Sequence, residues 1–393
     1  MKRGKEVLKE LYDFEGFSFK EICKKISVII NIKKKGRTGI CPVCNKKRRK
    51  VIETRIRKIR DKNIAEEKCF IVIKSYRIIC RGCFRGMEKL DFVLPGEKFT
   101  KRFADYIYSL CEKMTLSDAA ETAMINWRTA KKIDKKKLQE KFKDLKNVNL
   151  TRIGVDEIAY EKGHKYLTIV RDVDNGVIWV GDKRKKETLD KFFAELGKEK
   201  SKQITVAVMD MWDPYIKSIR ENTNAEIVFD KFHISKKINE AVDQIRKKEF
   251  AKADPEERLK MKKKRFLILY RNKNLDNEKR EELRTLLDIN KNLQIAYLLK
   301  EQILDIFDER VKENAIQRFE KWKENVHKAE VEEFRKVIKM METYWYGIEN
   351  YFTHRVTNGA SEGYNNKINI IKRRAYGFKD IEYFKLKILQ SCS

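Results

Sequence analysis

Apolar positions recur along this chain in two rhythms, and the places where the rhythm changes mark its elements. Alternation with period two runs through Val51 to Ile59, Cys69 to Ile79, Arg152 to Tyr160, Lys165 to Val173 and Val177 to Gly181. Alternation places every second side chain on one face of a pleated strand, so these runs predict half-buried β-strands. Asp174-Asn175-Gly176, between the last two, is a tight-turn sequence of residues that tolerate positive φ. From Lys98 to Phe142 the spacing changes to three and four, with Phe103, Ile107, Leu110 and Met114 on one helical face. Ser117 can cap a short helix through Thr122; a turn follows at Met124 to Asn126, and a second helix starts near Trp127 and runs into Lys131, Lys132 and Lys135 to Lys137. These are the parts of a helix-turn-helix, whose second helix enters the major groove. A structural helix pair with a solvated basic face would carry the same pattern.

A Lys/Asp/Asn-rich junction at Lys143 to Asn149 precedes the third, fourth and fifth strands. After them come a helix at Glu187 to Leu196, the apolar strand Ile204 to Met209, a helix from about Pro214 to Glu221 and a strand Glu226 to Phe229. Three antiparallel strands followed by helix, strand, helix, strand is the element order of an RNase H-like domain. From Ser235 to Phe352 the chain is rich in Lys, Glu, Leu and Ile at helical spacing and predicts an all-helical insertion. Its aromatic cluster Tyr344, Trp345, Tyr346, Tyr351 and Phe352 reads as a core seam rather than a base-stacking platform. The expected class is α/β: a zinc ribbon over residues 1–95, a helix-turn-helix over 96–148, an RNase H-like core over 149–234 and 353–393, and the helical insertion over 235–352.

Composition narrows the partners. Lys and Arg number 91 against 60 Asp and Glu, a formal charge of +31. A Lys/Glu-rich surface of thermophile type raises both signs together and leaves no such excess, so a polyanion, nucleic acid, is the expected partner. With 41% hydrophobic residues and only 4 Pro, the chain has material for several cores and is not a disordered tail. No apolar run approaches the roughly 20 residues a membrane span needs, and Met1 to Phe17 holds no apolar signal region. A cytoplasmic, nucleoid-associated protein with no membrane partner is expected.

Eight cysteines in a chain this long are too few for a disulfide scaffold. Cys41-Pro42-Val43-Cys44 and Cys80-Arg81-Gly82-Cys83 each put two thiolates on one turn, and pairing the turns closes a tetrahedral four-sulfur site for structural Zn2+. A redox pair or a decayed site is the alternative. Cys23, Cys69, Cys111 and Cys392 lack partners at ligand spacing and read as buried small hydrophobes or exposed thiols.

Candidate chemistry rests on one acid within a strand and another at the end of an apolar strand. Asp156 takes the face opposite Ile153 and Val155, and Asp210 ends the strand that closes on Val208-Met209. Burial of such acids calls for a partner or a cation. In the RNase H strand order the first and fourth strands are neighbours, which would bring the two carboxylates to one sheet edge. Glu362 falls in the first turn of a helix that Asn358 can cap and that ends near Gly377, with Glu362, Asn366, Asn369 and Arg373 on one polar face. A few carboxylates suit hard divalent cations, Mg2+ or Mn2+, and two such ions can stabilise the attacking and leaving oxygens of a phosphoryl transfer. Glu157 and Asp213 are the bland neighbours; alternation sends Glu157 to the other face, and Asp213 could cap the helix at Pro214.

These residues carry a resemblance. The chain resembles the insertion-sequence DDE transposases of the ISL-three family in its four ribbon thiols, in Ile153 to Glu157, in Val208 to Trp212 and, most specifically, in Asn358 to Phe378. The resemblance implies catalytic, metal-binding roles for Asp156, Asp210 and Glu362. It also covers Phe229-Asp230-Lys231-Phe232-His233, an Asp-x-x-His element that implies a role near the site for His233; His164, His327 and His354 have no comparable setting. It further implies double-stranded DNA partners, transposon ends and target, and a homo-oligomer, a dimer, that pairs two ends. DNA contacts are expected from Asn126, Trp127, Arg128, Thr129, Lys131 and Lys132, and phosphate contacts from Lys372, Arg373 and Arg374. Two other readings compete: a sequence-specific DNA-binding protein with an inert RNase H-like body, and a nuclease or resolvase that cuts without joining.

Overall fold

A computed structural model describes residues 2–24, 27–145, 149–161, 163 and 165–393. His164 and part of the Lys143 to Asn149 junction lie outside the described residues. The chain divides into two compact units, residues 1–143 with 374–386, and residues 144–373 with 387–393.

The first unit opens with α1 (Lys2–Leu11), β1 (Phe17–Lys24) and β2 (Val28–Lys34), then a short hairpin of β3 (Gly39–Ile40) and β4 (Lys47–Arg48). A long hairpin follows, β5 (Val51–Ile64) with β6 (Glu67–Cys80), and β7 (Phe84–Met87) adds to it. The sheet order is β1-β2-β6-β5, with β7 also on β6. Alternation drives this pairing, since Ile71 and Ile73 of β6 meet Ile30, Ile32 and Ile59 in one buried cluster. Three helices complete the unit: α2 (Lys101–Lys113), α3 (Leu116–Thr122) and α4 (Trp127–Lys141). The cap of α3 is Thr115, not Ser117: the Thr115 hydroxyl accepts the Asp118 N–H at 3.2 Å, and Ser117 lies inside the helix. Met124 takes φ +56° in the turn, and Asn126 caps α4 by accepting the Arg128 N–H at 2.8 Å.

Ribbon and helices, which the sequence pattern separates near residue 95, share one unit for a polar reason. Asp61 of β5 is fully buried and accepts from the Thr100 hydroxyl at 2.7 Å and from Arg102 Nε at 2.9 Å. Arg60, also buried, donates to the Ala123 carbonyl at 3.0 Å, and Asn63 donates to Thr122 at 3.2 Å. The hairpin thus supplies donors for carbonyls that the end of α3 leaves open. Residues 374–386 join the same unit on α4: Asp380 takes Lys131 and Lys135, each at 2.9 Å, and the Tyr383 hydroxyl donates to Asp134 at 2.6 Å.

The second unit is built on a five-stranded sheet of order β10-β9-β8-β11-β12. Its strands are β8 (Arg152–Glu161), β9 (Lys165–Asp172), β10 (Gly176–Asp182), β11 (Val206–Met209) and β12 (Glu226–Phe229). The first three pair antiparallel, and β11 runs parallel to both β8 and β12. α5 (Lys186–Leu196), α6 (Lys198–Ser201) and α7 (Asp213–Asn222) connect them. Asp213 opens α7 without capping it; its carboxylate accepts from the Tyr344 hydroxyl at 3.3 Å. Eight helices, α8 (Lys231–Lys252) through α15 (Trp345–His354), lie between β12 and the last pair, α16 (Gly359–Arg374) and α17 (Ile381–Cys392). The aromatic cluster is a core seam: Tyr344 and Tyr346 pack edge-on to Phe229 at 5.3 and 5.5 Å, Trp345 stacks on Phe319 at 4.2 Å, and Tyr351 and Phe352 are buried. No helix among the described residues is long and apolar enough to cross a membrane.

The Asp61 contact generates a stability prediction. Asp61→Ala leaves Arg102 and Thr100 without their acceptor, and should lower stability by about 2–3 kcal/mol, less than a fully buried pair would lose because Arg102 is partly exposed. Urea unfolding of the full chain, with hydrogen exchange over β5 and α2, measures it. An unchanged midpoint and unchanged protection would remove the contact from the account of the first unit.

Candidate active site and zinc centre

The four ribbon thiols converge. Cys41 and Cys83 sulfurs lie 3.7 Å apart, Cys44 and Cys80 3.6 Å apart, and all four Sγ atoms fall within 4.8 Å of one another. A tetrahedron with Zn–S bonds of about 2.3 Å has edges of about 3.8 Å, so the spacing fits zinc. The turn at Asn45 (φ +55°) lets the Cys41 N–H reach the Lys46 carbonyl at 3.0 Å, and Gly82 (φ +71°) shapes the second turn. Arg48 Nε, 3.1 Å from the Cys80 sulfur, offsets thiolate charge from outside the set. The other cysteines stay out of it: Cys69, Cys111 and Cys392 are buried, and Cys23 is half-buried.

In the second unit the register of two strands decides the geometry. Val206, Ala207 and Val208 of β11 pair in parallel with Arg152, Ile153 and Gly154 of β8. Continued by two residues, that register sets Asp210 level with Asp156. Asp156 accepts its neighbour Glu157's N–H at 2.7 Å and the Asn365 side-chain N–H of α16 at 2.9 Å. Burial, with the charge of Asp210 adding to it, pushes the Asp156 carboxyl up to about 6.

Asp210 Oδ1 lies 2.7 Å from His233 Nδ1, and Asp230 Oδ2 lies 3.9 Å from the same nitrogen. Asp210 Oδ1 and His233 Nδ1 are both buried without a well-directed hydrogen-bond partner, so their closeness is not a formed hydrogen bond. The neighbouring carboxylates of Asp210 and then Asp230 still raise the His233 imidazole above its ordinary value through their charge. Donor atoms of Asp210, Asp230 and His233 lie within 4.8 Å of one another. Two orphaned buried donors, hard oxygen and imidazole, facing a common point fit a divalent cation, which would take the place of the imidazole proton. Asp230 also starts α8, accepting the Phe232 N–H at 3.2 Å, and that cap turns His233 toward Asp210.

The remaining expected residues fall as follows. Glu157 points to the other face and pairs with Arg184 at 2.9 Å. Glu362 is exposed in the first turn of α16, and the contact from that helix to Asp156 comes from Asn365, three residues on and hence on the same helical face. The Asn358 side-chain oxygen, at the start of α16, accepts from Arg171 at 2.8 Å. In the first unit Trp127 and Arg128 are exposed and Thr129 is half-buried, while Lys131 pairs with Asp380 and Lys132 with Glu97 at 2.7 Å. Lys372 reaches the Ala159 carbonyl at 3.5 Å, and Arg373 and Arg374 are exposed. His354 pairs with Glu226, and His327 is exposed on α13 (Lys312–Lys328), so neither approaches the acids. Asp230 and Asn365 are the contacts that sequence reasoning did not assign, although both lie inside motifs it had singled out.

With this geometry in hand, comparison with known proteins is direct. The sequence pattern of a family described as "Transposase" matches residues 153–388, and that of the "zinc-finger of transposase IS204/IS1001/IS1096/IS1165" matches residues 37–83. The second match spans all four thiols, which hold a structural zinc. The chain is 29% identical over 365 residues to the transposase for insertion sequence element IS1001 of Bordetella parapertussis, covering 91% of this chain and 90% of that protein. It is 27% identical over 311 residues to the transposase for element IS1557 of Mycobacterium tuberculosis (strain CDC 1551 / Oshkosh), covering 71% and 69%. A Drosophila P element transposase strand transfer complex is similar over 74% of this chain and 90% of that chain at 10% identity, with a TM-score of 0.37, too low to bear on the fold.

The ribbon predicts its own metal content. Thiol modification of the purified chain should release one zinc ion per chain, and Cys44→Ser should abolish that zinc and loosen the β3–β4 hairpin. Full zinc retention by the serine variant would exclude this ligand set.

Proposed function

The chain belongs to the ISL3 family of insertion-sequence transposases, and from that premise we propose that Asp156, Asp210 and Glu362 are its catalytic carboxylates and that His233 and Asp230 complete the site. It is a DDE transposase with an RNase H-like core, which works with a divalent metal on DNA. The single observation that carries the assignment is the parallel register of β8 and β11, which supports a carboxylate pair level at one sheet edge.

The metal is Mg2+, with Mn2+ as substitute, and when bound it supplies charge stabilisation for the attacking and leaving oxygens of an in-line phosphoryl transfer. Asp156 contributes a carboxylate oxygen from within β8 and Asp210 one from just past the end of β11. His233, released from its proton, contributes Nδ1 beside Asp210, and Asp230 holds the first turn of α8 so that the imidazole stays there. Asn365 orients Asp156 by donating to one of its oxygens, leaving the other to the Glu157 N–H and the metal side. Glu362 enters from the first turn of α16 as the third acid. No side-chain nucleophile is required, since water frees a 3'-hydroxyl and that hydroxyl then attacks a second phosphodiester.

Recognition of the transposon ends falls to the first unit. The exposed Trp127 and Arg128 at the start of α4, with Asn126, Thr129, Lys131 and Lys132, form the groove-facing set, and Lys372, Arg373 and Arg374 hold phosphates near the acids. Ribbon and helix-turn-helix serve as the end-binding part, residues 149–234 and 353–393 as the catalytic part, and residues 235–352 as its helical insertion. A dimer on DNA pairs the two ends.

A strand-transfer assay on labelled end DNA with Mg2+ or Mn2+ tests this. Asp156→Asn, Asp210→Asn and Glu362→Gln should each lower joining by more than about 100-fold, because changes one shell further out already cost roughly 10–100-fold. Wild-type joining by all three variants would sink the assignment, and cleaved ends without joined product would mark a nuclease. DNA affinity should fall by about 0.9 log unit per log unit of salt for each phosphate neutralised. A response flat in salt would contradict charge-driven binding.

A further inference from the structure

Arg171 stands on β9 directly opposite Gly154 of β8, two residues before Asp156, and is only 2% exposed. A Cβ on Gly154 would lie 2.6 Å from Arg171 Nε, so the glycine is there for space. Each nitrogen of the buried guanidinium donates to the start of α16 or to the residue after its own strand. Nε donates to the Ser361 hydroxyl at 3.1 Å and to Asn358 Oδ1 at 3.2 Å. Nη2 donates to Asn358 Oδ1 at 2.8 Å and to the Thr357 carbonyl at 3.3 Å, and Nη1 to the Val173 carbonyl at 3.3 Å. The Ser361 hydroxyl closes the ring by donating to Asn358 Oδ1 at 2.6 Å. Asn358 and Ser361 are themselves 3% and 6% exposed.

Two features separate this from ordinary packing. All of these acceptors are uncharged oxygens, so the buried cation gains hydrogen bonds but no contacting carboxylate, an arrangement costly for stability alone. Asn358 stands directly before α16, and its side-chain oxygen accepts from both Arg171 and the Ser361 hydroxyl, tying the start of that helix to the sheet. What the arrangement fixes is position. Glu362 follows Ser361 directly, and Asn365, one turn later, donates to Asp156. Glu362 therefore stands between two ties to the sheet, one at Arg171 and one at Asp156.

We infer that Arg171 is a positioning residue of the active site: seated against Gly154, its guanidinium pins the first turn of α16 through Asn358, Ser361 and Thr357 and so fixes where Glu362 stands relative to Asp156 and Asp210. The inference rests on the reading of Glu362 as the third carboxylate. Lysine cannot replace arginine here, because one ammonium lacks the planar fork that reaches four oxygens on two segments. A displacement of about 1 Å at a metal-binding acid is enough to impair chemistry of this kind.

The test uses the full-length protein with Arg171→Lys, Asn358→Ala, their combination and Glu362→Gln in parallel. Joining rate at saturating end DNA, Mn2+ half-saturation, DNA affinity and melting temperature are measured for each. Arg171→Lys and Asn358→Ala should each lower the joining rate by about 10–100-fold and raise the Mn2+ half-saturation by about 10-fold, with DNA affinity unchanged. The combined variant should be no worse than the poorer single one, because both act through one contact. A purely structural role predicts a lower melting temperature and a smaller active fraction with the Mn2+ half-saturation unmoved, and that result overturns the inference. Should Arg171→Lys fail to fold, Asn358→Ala decides alone, since it keeps the arginine and removes only its main acceptor. Wild-type behaviour of folded Asn358→Ala beside an inactive Glu362→Gln sinks this inference and leaves the carboxylate assignment standing, whereas an active Glu362→Gln sinks the assignment itself.

Discussion

Parallel pairing of β8 with β11 holds the carboxylate of Asp156, within β8, level with that of Asp210, just past the end of β11, and like charges so placed repel unless a cation lies between them. The sheet offers no relief of its own: Val155, Val208 and Met209 beside them are buried and apolar. Burial and the nearby charge together make Asp156 harder to ionise than an ordinary aspartate. The surrounding elements answer that constraint in different ways. α8 begins on Asp230 and brings an imidazole to Asp210, α16 brings the Asn365 amide to Asp156, and β9 places a guanidinium beneath Gly154. A strand interior beside a strand end, surrounded by helix starts, gives each ligand a fixed origin, which a loop-borne site would lack.

Much of this was legible because its determinants are local. Alternation identified β5, β6, β8, β9 and β10 but not β1 and β2, and an acid directly after the apolar run Val206 to Met209 can be found without knowing what lies beside it. The CxxC pairs were readable for the same reason, since each turn presents two thiols on its own. The contacts of α16 were not. A helix's rotation about its axis is set by whatever grips it, and here the grip is Arg171, which lies 187 residues from Asn358 and 190 from Ser361. Sequence placed Glu362 in the first turn and Asn358 just before it; tertiary contact turned Asn365 toward Asp156 and brought Arg171 onto the Asn358 side chain. The α3 cap failed on a smaller scale. Thr115 and Ser117 are both plausible hydroxyl caps, and burial of Ala119 and Ala120 sets the phase of the helix so that Thr115 precedes it.

The charge excess calls for a finer reading than its size. Each ion pair consumes one cation and one anion, so the surplus of 31 survives any pattern of pairing, but pairing decides which side chains remain available. On α4 the pattern is polarised along the helix. Lys131 and Lys135 are drawn to Asp380 and Lys132 to Glu97, whereas Trp127 and Arg128 at the amino end are exposed. A helix that reads DNA from its amino end presents its first residues to base edges and uses the helix dipole there toward phosphate. The lysines farther along also hold the helix within its own unit, Lys131 and Lys135 through Asp380 and Lys132 through Glu97. The basic run that first suggested a recognition helix therefore divides by position, with its leading turn exposed and its later lysines ion-paired within the unit.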